Sequence, residues 1–172
     1  YIHETLPKLE ERKIEVPLEG AHKEIYEAIR EQDLESLTKM NYLSRVSINP
    51  QTIFEEDMNG AFENFPRNVE SNTFQALDDI VDNSVKNGGK VLIFSNLKRG
   101  VHKELRERYS QYGALVVNGD CSTDSRNGEL SEREKIRQQF QNDSNYQVLI
   151  AGDVMSEGVD LTAATDVVHL NL

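Results

Sequence analysis

The sequence predicts an α/β protein, a doubly wound parallel sheet that follows a helical segment. From residue 71 onward, short apolar runs alternate with amphipathic helical patterns, and these runs are continuously apolar. Strands covered by helices on both faces have that composition. In addition, the segment 146–171 places acids and glycines directly after an apolar run. That position corresponds to the carboxyl end of a strand, where open α/β sheets bind ligands.

Four parallel strands are predicted in the second part of the chain. They cover residues 91–94, 115–117, 148–151 and 167–170. Because the last of these runs is apolar, its histidine, His169, is interpreted as a hydrogen-bonded core residue rather than a metal ligand. Antiparallel pairing between 91–94 and 148–151 would contradict this fold.

The predicted strands are separated by helices whose limits can be read from capping signals. The pattern over 74–85 is amphipathic and ends at Gly88-Gly89, a C-cap signal. A second helix follows the spacing of Val101, Leu105 and Tyr109, and Gly113 is predicted to end it. A third begins at the capping box formed by Ser131 and Glu134.

Residues 1–70 are predicted to form a helical lead-in segment with irregular joints. Helices are expected over 21–31 and 34–46, and the alternation at 14–16 indicates a short strand. The stretch 51–70 is interpreted as a flexible linker packed by a few aromatic side chains.

Composition limits the possible functions. The chain has 172 residues, 37% of them hydrophobic, and a net charge of −11. No apolar run is long enough for a membrane span, and no secretory leader opens the chain. One cysteine excludes an internal disulfide and a multi-thiolate zinc site, so an intracellular location, cytoplasm or nucleus, and no metal site are expected. The excess of acidic over basic residues restricts any nucleic-acid contact to a local patch.

Three motifs occur in order along the second part. They are KVLIFSN at 90–96, NGDCSTDS after Val117 with Arg133 and Phe140 downstream, and GDVMSEGVDLTAA at 152–164. They resemble motif IV, the Gly-Ser-Thr, Arg and Phe signature, and motif V of the second RecA-like lobe of Swi/Snf-type ATPases, a branch of superfamily two. The resemblance implies that 71–172 is this C-terminal lobe and that 1–70 is its lead-in.

The resemblance also implies an ATP-binding role for Gly158 and Asp160. The glycine would allow close backbone approach, and the aspartate would accept a hydrogen bond from the ribose. An ordinary turn that needs a flexible glycine and an aspartate cap remains the alternative. Swi/Snf members usually carry Asn at the position of Asp160, and DEAD-box relatives carry Asp, so the subfamily stays open.

A nucleic-acid contact is predicted at the strand exits. Small polar side chains, exposed amides and a lysine there suit a phosphate backbone. The candidate residues are Ser95, Asn96, Lys98, Gly119, Ser122 and Ser156. A polar exit that only caps the next helix, and a mobile surface loop at 119–123, are the alternatives.

The sequence lacks the motifs of a complete motor. It contains no P-loop and no Asp-Glu dipeptide, and it ends before motif VI. No catalytic residue is therefore predicted, and ATP and Mg²⁺ are expected to be held mainly by a first RecA-like lobe of the same protein. The predicted parent is an ATP-dependent translocase on double-stranded DNA, with RNA not excluded, and the chain alone should hydrolyse no ATP. The rival is a non-catalytic α/β interaction or regulatory module.

Overall fold

The computed structural model describes residues 10–56, 60, 62–124, 128–152 and 161–170. Within them the fold has six α-helices and four β-strands. The helices are α1 (Gly20–Arg30), α2 (Ser36–Ile48), α3 (Ile53–Glu56), α4 (Asn72–Lys86), α5 (His102–Arg108) and α6 (Glu132–Asn142). The strands are β1 (Val91–Phe94), β2 (Ala114–Val117), β3 (Val148–Ala151) and β4 (Asp166–His169).

The four strands form one parallel sheet in the order β2-β3-β1-β4. Val91 of β1 is in register with Val148 of β3 on one side and with Asp166 of β4 on the other. On the far side of β3, Val148 also pairs with Ala114 of β2. The predicted parallel sheet is confirmed, including parallel pairing between the first and third strands.

Helices cover both faces of this sheet. Ile93 and Ile150 pack against α4 and α5, while Leu92 and Leu149 pack on the opposite side with Phe140 of α6. Successive strand side chains point to opposite faces, so a strand buried on both needs an unbroken apolar run. The doubly wound prediction is confirmed by these two cores.

Capping residues set the limits of α4 and α6, and those predicted at Gly88 and Ser131 are confirmed. The Ser71 hydroxyl accepts from the Phe74 amide and begins α4, and Gly88 ends this segment at a φ of 81°. The Ser131 hydroxyl accepts from the Glu134 amide at 3.2 Å and begins α6. The Glu134 carboxylate contacts Arg137 one turn later, which lowers the pKa of this acid.

Helix α5 is held against α4 by a charged cluster. Arg108 donates to both carboxylate oxygens of Asp78, at 2.7 and 2.6 Å, and also to Glu70. The hydroxyl of buried Tyr109 donates to the same Asp78 at 2.8 Å. The bonds to Asp78 and Glu70 raise the pKa of Arg108, and burial together with the bond to Asp78 raises the pKa of Tyr109. The cluster fixes the helix that begins at His102.

The predicted strand at 14–16 is wrong. Residues 10–19 have no regular structure, and Ile14 is exposed. A strand needs a neighbour to satisfy its backbone groups, and Pro17 lacks an amide donor. A three-residue alternation is too short to specify such pairing.

The predicted linker at 51–70 is partly helical, and the predicted packing of its aromatic side chains is confirmed. Its start forms a 3₁₀ turn and α3, and Phe62 is 2% exposed. Phe62 packs with α1 and α2 in a separate core made of Ile25, Ile29, Val46 and Ile53. The aromatic side chains give this segment enough apolar area to fold onto the helices.

Strand β4 differs from the expected buried strand. It pairs with β1 alone and forms the edge of the described sheet, with Val167 52% exposed. His169 is exposed and stacks on Phe94, with 5.1 Å between ring centroids. The prediction of a core histidine is therefore wrong, because an apolar run does not distinguish a central strand from an edge strand.

The helical lead-in is hydrogen-bonded to the start of the α/β part. Thr73 donates to the carbonyl of Ser47 at 2.6 Å, and the Asn49 side chain donates to the carbonyl of Gly100 at 2.7 Å. Ile48 contributes to the core between the sheet and α4. The end of α2 thus contacts both α4 and the loop that precedes α5.

Candidate nucleic-acid interface

The strand exits lie side by side at the carboxyl edge of the sheet. The amide of Ser95 donates to Ala151 and that of Gly152 donates to Val117, each at 3.0 Å. These two bonds continue the sheet ladder one residue beyond the strands. The loops after β1, β2 and β3 therefore leave the sheet from one edge, as the strand pattern predicted.

The loop after β1 begins with a buried turn. Ser95 is 1% exposed, and its hydroxyl accepts from the amide of Leu97 at 3.2 Å. Asn96, Lys98 and Arg99 lie on the surface. This geometry favours a turn-forming role for the Ser95 hydroxyl, and its direct phosphate contact stays a prediction.

The loop after β2 is organised by Asn118. Its side-chain oxygen accepts from the amide of Asp120 at 2.9 Å, and its carbonyl accepts from the amide of Cys121 at 3.1 Å. Gly119 is exposed, and a Cβ built on it would meet no atom within 4 Å. The backbone at Gly119 is therefore open on this side.

The same loop is anchored to α6. Glu132 accepts from the Ser122 amide at 3.0 Å, and the Arg133 side chain donates to the carbonyl of Cys121 at 3.1 Å. The Arg133 amide in turn donates to the carbonyl of Ser122. Up to Ser122, the loop has these defined contacts rather than the free surface course weighed as an alternative.

An ion pair joins the two loops. Lys98 contacts the carboxylate of Asp120, and both side chains are substantially exposed, 49% and 70% respectively. The structure thus brings Lys98 of the first loop to Asp120, the residue that follows Gly119 in the second loop, and the roles predicted for Asn96, Lys98, Gly119 and Ser122 stay predictions. Asp120 was not among the predicted site residues, since a carboxylate is not a phosphate ligand and its partner is 22 positions away.

His102 lies beneath both loops and was also missed by sequence reasoning. Its Nε2 is 2.9 Å from the carbonyl of Ser95, and its Nδ1 is 3.1 Å from the side-chain amide of Asn118. A carbonyl only accepts and an NH₂ group only donates, so Nε2 carries the proton and Nδ1 accepts. Burial lowers the pKa of His102, which favours this neutral tautomer.

The motif V segment begins and ends at anchored positions. A Cβ on Gly152 would lie 3.3 Å from the His102 ring, so even an alanine there would require His102 to shift by a few tenths of an ångström. At the other end, the amide of Ala163 donates to Gln141 of α6 at 2.8 Å. Ser156, Gly158 and Asp160 lie outside the described residues, so their predicted ATP and nucleic-acid contacts stay predictions.

Two features are absent from the described residues. No three of their His, Cys, Asp or Glu side chains are grouped so that they could hold a metal ion. None of the helices in the described ranges combines the length and apolarity that crossing a bilayer requires.

Comparison with known proteins identifies the family. The family model of the helicase conserved C-terminal domain matches residues 72–172, which is more than half of the chain. This chain belongs to the helicase C-terminal domain family. The match begins at α4 and includes the whole sheet, and it confirms the predicted RecA-like C-terminal lobe.

Solved structures share the fold of this helicase lobe. The SWI2/SNF2 ATPase core of Sulfolobus solfataricus in complex with dsDNA aligns with a TM-score of 0.58 and 17% identity, over 87% of this chain and 30% of that one. The C-terminal domain of the same ATPase aligns with a TM-score of 0.57 and 17% identity, over 87% of this chain and 63% of that one. The C-terminal part of the Fun30 ATPase domain aligns with a TM-score of 0.50 and 18% identity, over 88% of this chain and 52% of that one.

One curated relative also matches this helicase lobe. DEAD-box ATP-dependent RNA helicase 40 of Oryza sativa subsp. japonica is 36% identical over 78 residues, 45% of this chain and 9% of that protein. The chain thus spans a small part of the helicase and about a third of the SWI2/SNF2 core. The likeness to the SWI2/SNF2 structures establishes the fold.

Proposed function

We propose that this chain is the second motor lobe of an ATP-dependent translocase that acts on double-stranded DNA. The observation that carries the proposal is the meeting of three loops at one sheet edge, after β1, after β2 and at the start of motif V. Asn96, Lys98, Gly119 and Ser122 lie on the first two of these loops, and Lys98 and Asp120 join them. Exposed amides and a lysine at strand exits suit contacts with a phosphate backbone.

In this proposal the lobe contributes to a site between two lobes of the parent protein. ATP supplies the phosphoryl transfer that powers the cycle. Gly158 would allow close backbone approach to the nucleotide, and Asp160 would accept a hydrogen bond from the ribose. Closure of the two lobes would then shift the loop edge along one phosphate backbone.

The remaining parts of the nucleotide site are divided between the two lobes. A P-loop and an acidic pair of the first lobe would hold ATP and Mg²⁺, and motif VI arginines of the second lobe would stabilise the transferring phosphoryl group. The motor assignment and the single cysteine of this sequence, Cys121, support an intracellular location, in the cytoplasm or nucleus, as part of the proposal.

An NMR titration with a short DNA duplex at low salt tests the proposed interface. Shifts are expected at Asn96, Lys98, Gly119 and Ser122, with an affinity no tighter than the loose end of ~10⁻⁴–10⁻⁶ M at physiological salt. A duplex RNA of the same sequence is the control for the type of nucleic acid. Stronger shifts with RNA would contradict the choice of DNA.

The second candidate is a non-catalytic interaction or regulatory module that retains the lobe fold. It is favoured by the net charge of −11 and by the carboxylate of Asp120, which engages the lysine expected to bind phosphate. Absence of shifts at low salt, or shifts confined to residues 10–56, would select this candidate over the motor lobe.

A further inference from the structure

We propose that His102 is a positioning residue for the phosphate-binding edge, an inference that rests on the proposed DNA contact. Its two hydrogen bonds hold the loop after β1 and the loop after β2 in one fixed arrangement. His102 is 3% exposed, so water does not compete for these bonds. It would act on DNA binding through the loops, without touching the nucleic acid.

The contacts around His102 form a closed ring. The ring runs from the Ser95 carbonyl to the imidazole, then to the side chain of Asn118, whose oxygen accepts from the Asp120 amide. Asp120 contacts Lys98, which is three residues after Ser95 in the first loop. Each exposed member of the ring is therefore attached to a buried one.

The buried part of the ring supplies most of the restraint. An exposed ion pair contributes little, because water screens it and its formation orders two long side chains. Buried hydrogen bonds are more costly to break, because each leaves an unsatisfied donor or acceptor. A loop that is already ordered loses less entropy when it binds phosphate. His102 thus reduces the ordering cost of binding at Lys98 and Gly119.

His22 provides a matched control within the same chain. It is 1% exposed, its Nε2 is 2.6 Å from the carbonyl of Val46, and its Nδ1 accepts from the amide of Asn72 at 3.0 Å. It therefore has the same pattern of contacts as His102, but it joins α1 and α2 to the start of α4. Loss of either histidine destabilises the fold, and only His102 contacts the strand exits.

The test uses His102→Asn, His102→Gln and His22→Asn. In His102→Asn, the side-chain amide lies near the position of Nδ1 and keeps the contact with Asn118 only. In His102→Gln, the longer side chain reaches the Ser95 carbonyl and loses the contact with Asn118. Each His102 variant therefore opens the ring at one link. Both should bind a short fluorescent duplex about three- to tenfold more weakly, as loss of one net hydrogen bond implies. The Asp120 amide should also exchange its hydrogen faster.

The His22→Asn variant should match wild type in duplex affinity and in exchange at Asp120, at equal folded fraction. Unchanged exchange and affinity in both His102 variants would overturn the proposal, and so would an equal loss in His22→Asn. If the His102 variants do not fold, Asn118→Ala opens the ring at its next link and must weaken duplex binding by a similar factor, since faster exchange at Asp120 follows there from the lost acceptor alone. If wild type binds no duplex, the DNA proposal fails, and the exchange measurement still decides the role of His102.

Discussion

The positive charge available for phosphate at the strand exits depends on one ion pair, between Lys98 and Asp120. Lys98 is the predicted phosphate contact, and Asp120 holds its ammonium group in the described structure. A phosphate must therefore compete with a carboxylate for the same cation. The two side chains are exposed, so the competition costs at most about 1 kcal/mol.

Asp120→Asn should strengthen binding to a DNA duplex about two- to fivefold at low salt, because it releases Lys98 and removes a repelling charge. Fluorescence anisotropy with a labelled duplex measures this change. Asp79→Asn makes the same change in net charge on an exposed position of α4 and should leave the affinity near that of wild type. Equal gains in both variants would show that overall charge, and not the pair with Lys98, limits binding.

The two buried histidines predict how stability depends on pH. Burial lowers the pKa of His22 and of His102. Both histidines are therefore protonated at a lower pH in the folded state than in the unfolded state, where histidines titrate near 6.5. The stabilisation is complete above pH 6.5 and is lost as pH falls towards the folded pKa values. Each histidine contributes up to about 1.4 kcal/mol per pH unit in that range.

Urea denaturation of wild type and of His22→Asn at pH 7.5 and pH 5.5 tests this dependence. The difference in unfolding free energy between wild type and variant should shrink at the lower pH, where the histidine no longer favours the folded state. Carboxylates titrate in both proteins, so the comparison removes their contribution. A constant difference across this range would contradict the lowered pKa of His22.

At the scale of the elements, a glycine connects α5 to β2. Gly113 has a φ of 72°, and a Cβ there would lie 1.9 Å from the carbonyl oxygen of Asn145, next to β3. Gly88, at the end of α4, has a φ of 81° and open space at the same position. Gly113 is therefore limited both by its backbone angle and by the approach of another chain segment.

Gly113→Ala should reduce the free energy of unfolding by about 3 kcal/mol or more, since the left-handed angle costs about 1–2 kcal/mol and the carbonyl of Asn145 must also move. Gly88→Ala carries only the first cost. Chemical denaturation of the two variants measures the difference. Equal losses would mean that the contact between Gly113 and Asn145 carries no cost.

At the scale of the whole molecule, this sequence contains at most one half of the proposed nucleotide site. The matched family region begins at α4, and no P-loop occurs in the sequence. In phosphoryl transfer, nearly all of the rate comes from positioning and charge stabilisation by groups such as the P-loop lysine and arginine fingers. The chain is expected to depend on the first RecA-like lobe for catalysis.

The purified chain should therefore hydrolyse no ATP above background in the presence of Mg²⁺. Phosphate release with and without duplex DNA measures this, and a complete helicase assayed in parallel confirms that the conditions support turnover. Magnesium-dependent hydrolysis that co-purifies with the chain through several columns would show that the active site has been misassigned.

Much of the fold could be predicted from sequence, because local patterns report local physics. The apolar runs at 91–94 and 148–151 indicated strands buried on both faces, and Ser71 and Ser131 act as N-caps as such residues usually do. The parallel orientation of the strands followed from the helical patterns that separate the apolar runs. The grouping of Asn96 and Lys98 with Gly119 and Ser122 followed from the common edge of parallel strands.

Only the tertiary structure decided which apolar and polar residues are buried. His169 lies exposed on an edge strand, although its apolar run indicated a buried position. The link from Ser95 through His102 to Asn118 joins residues brought close by strand order, so no spacing in the sequence signals it. Burial and long-range hydrogen bonds depend on which elements become neighbours, and that is set by the packing of the whole chain.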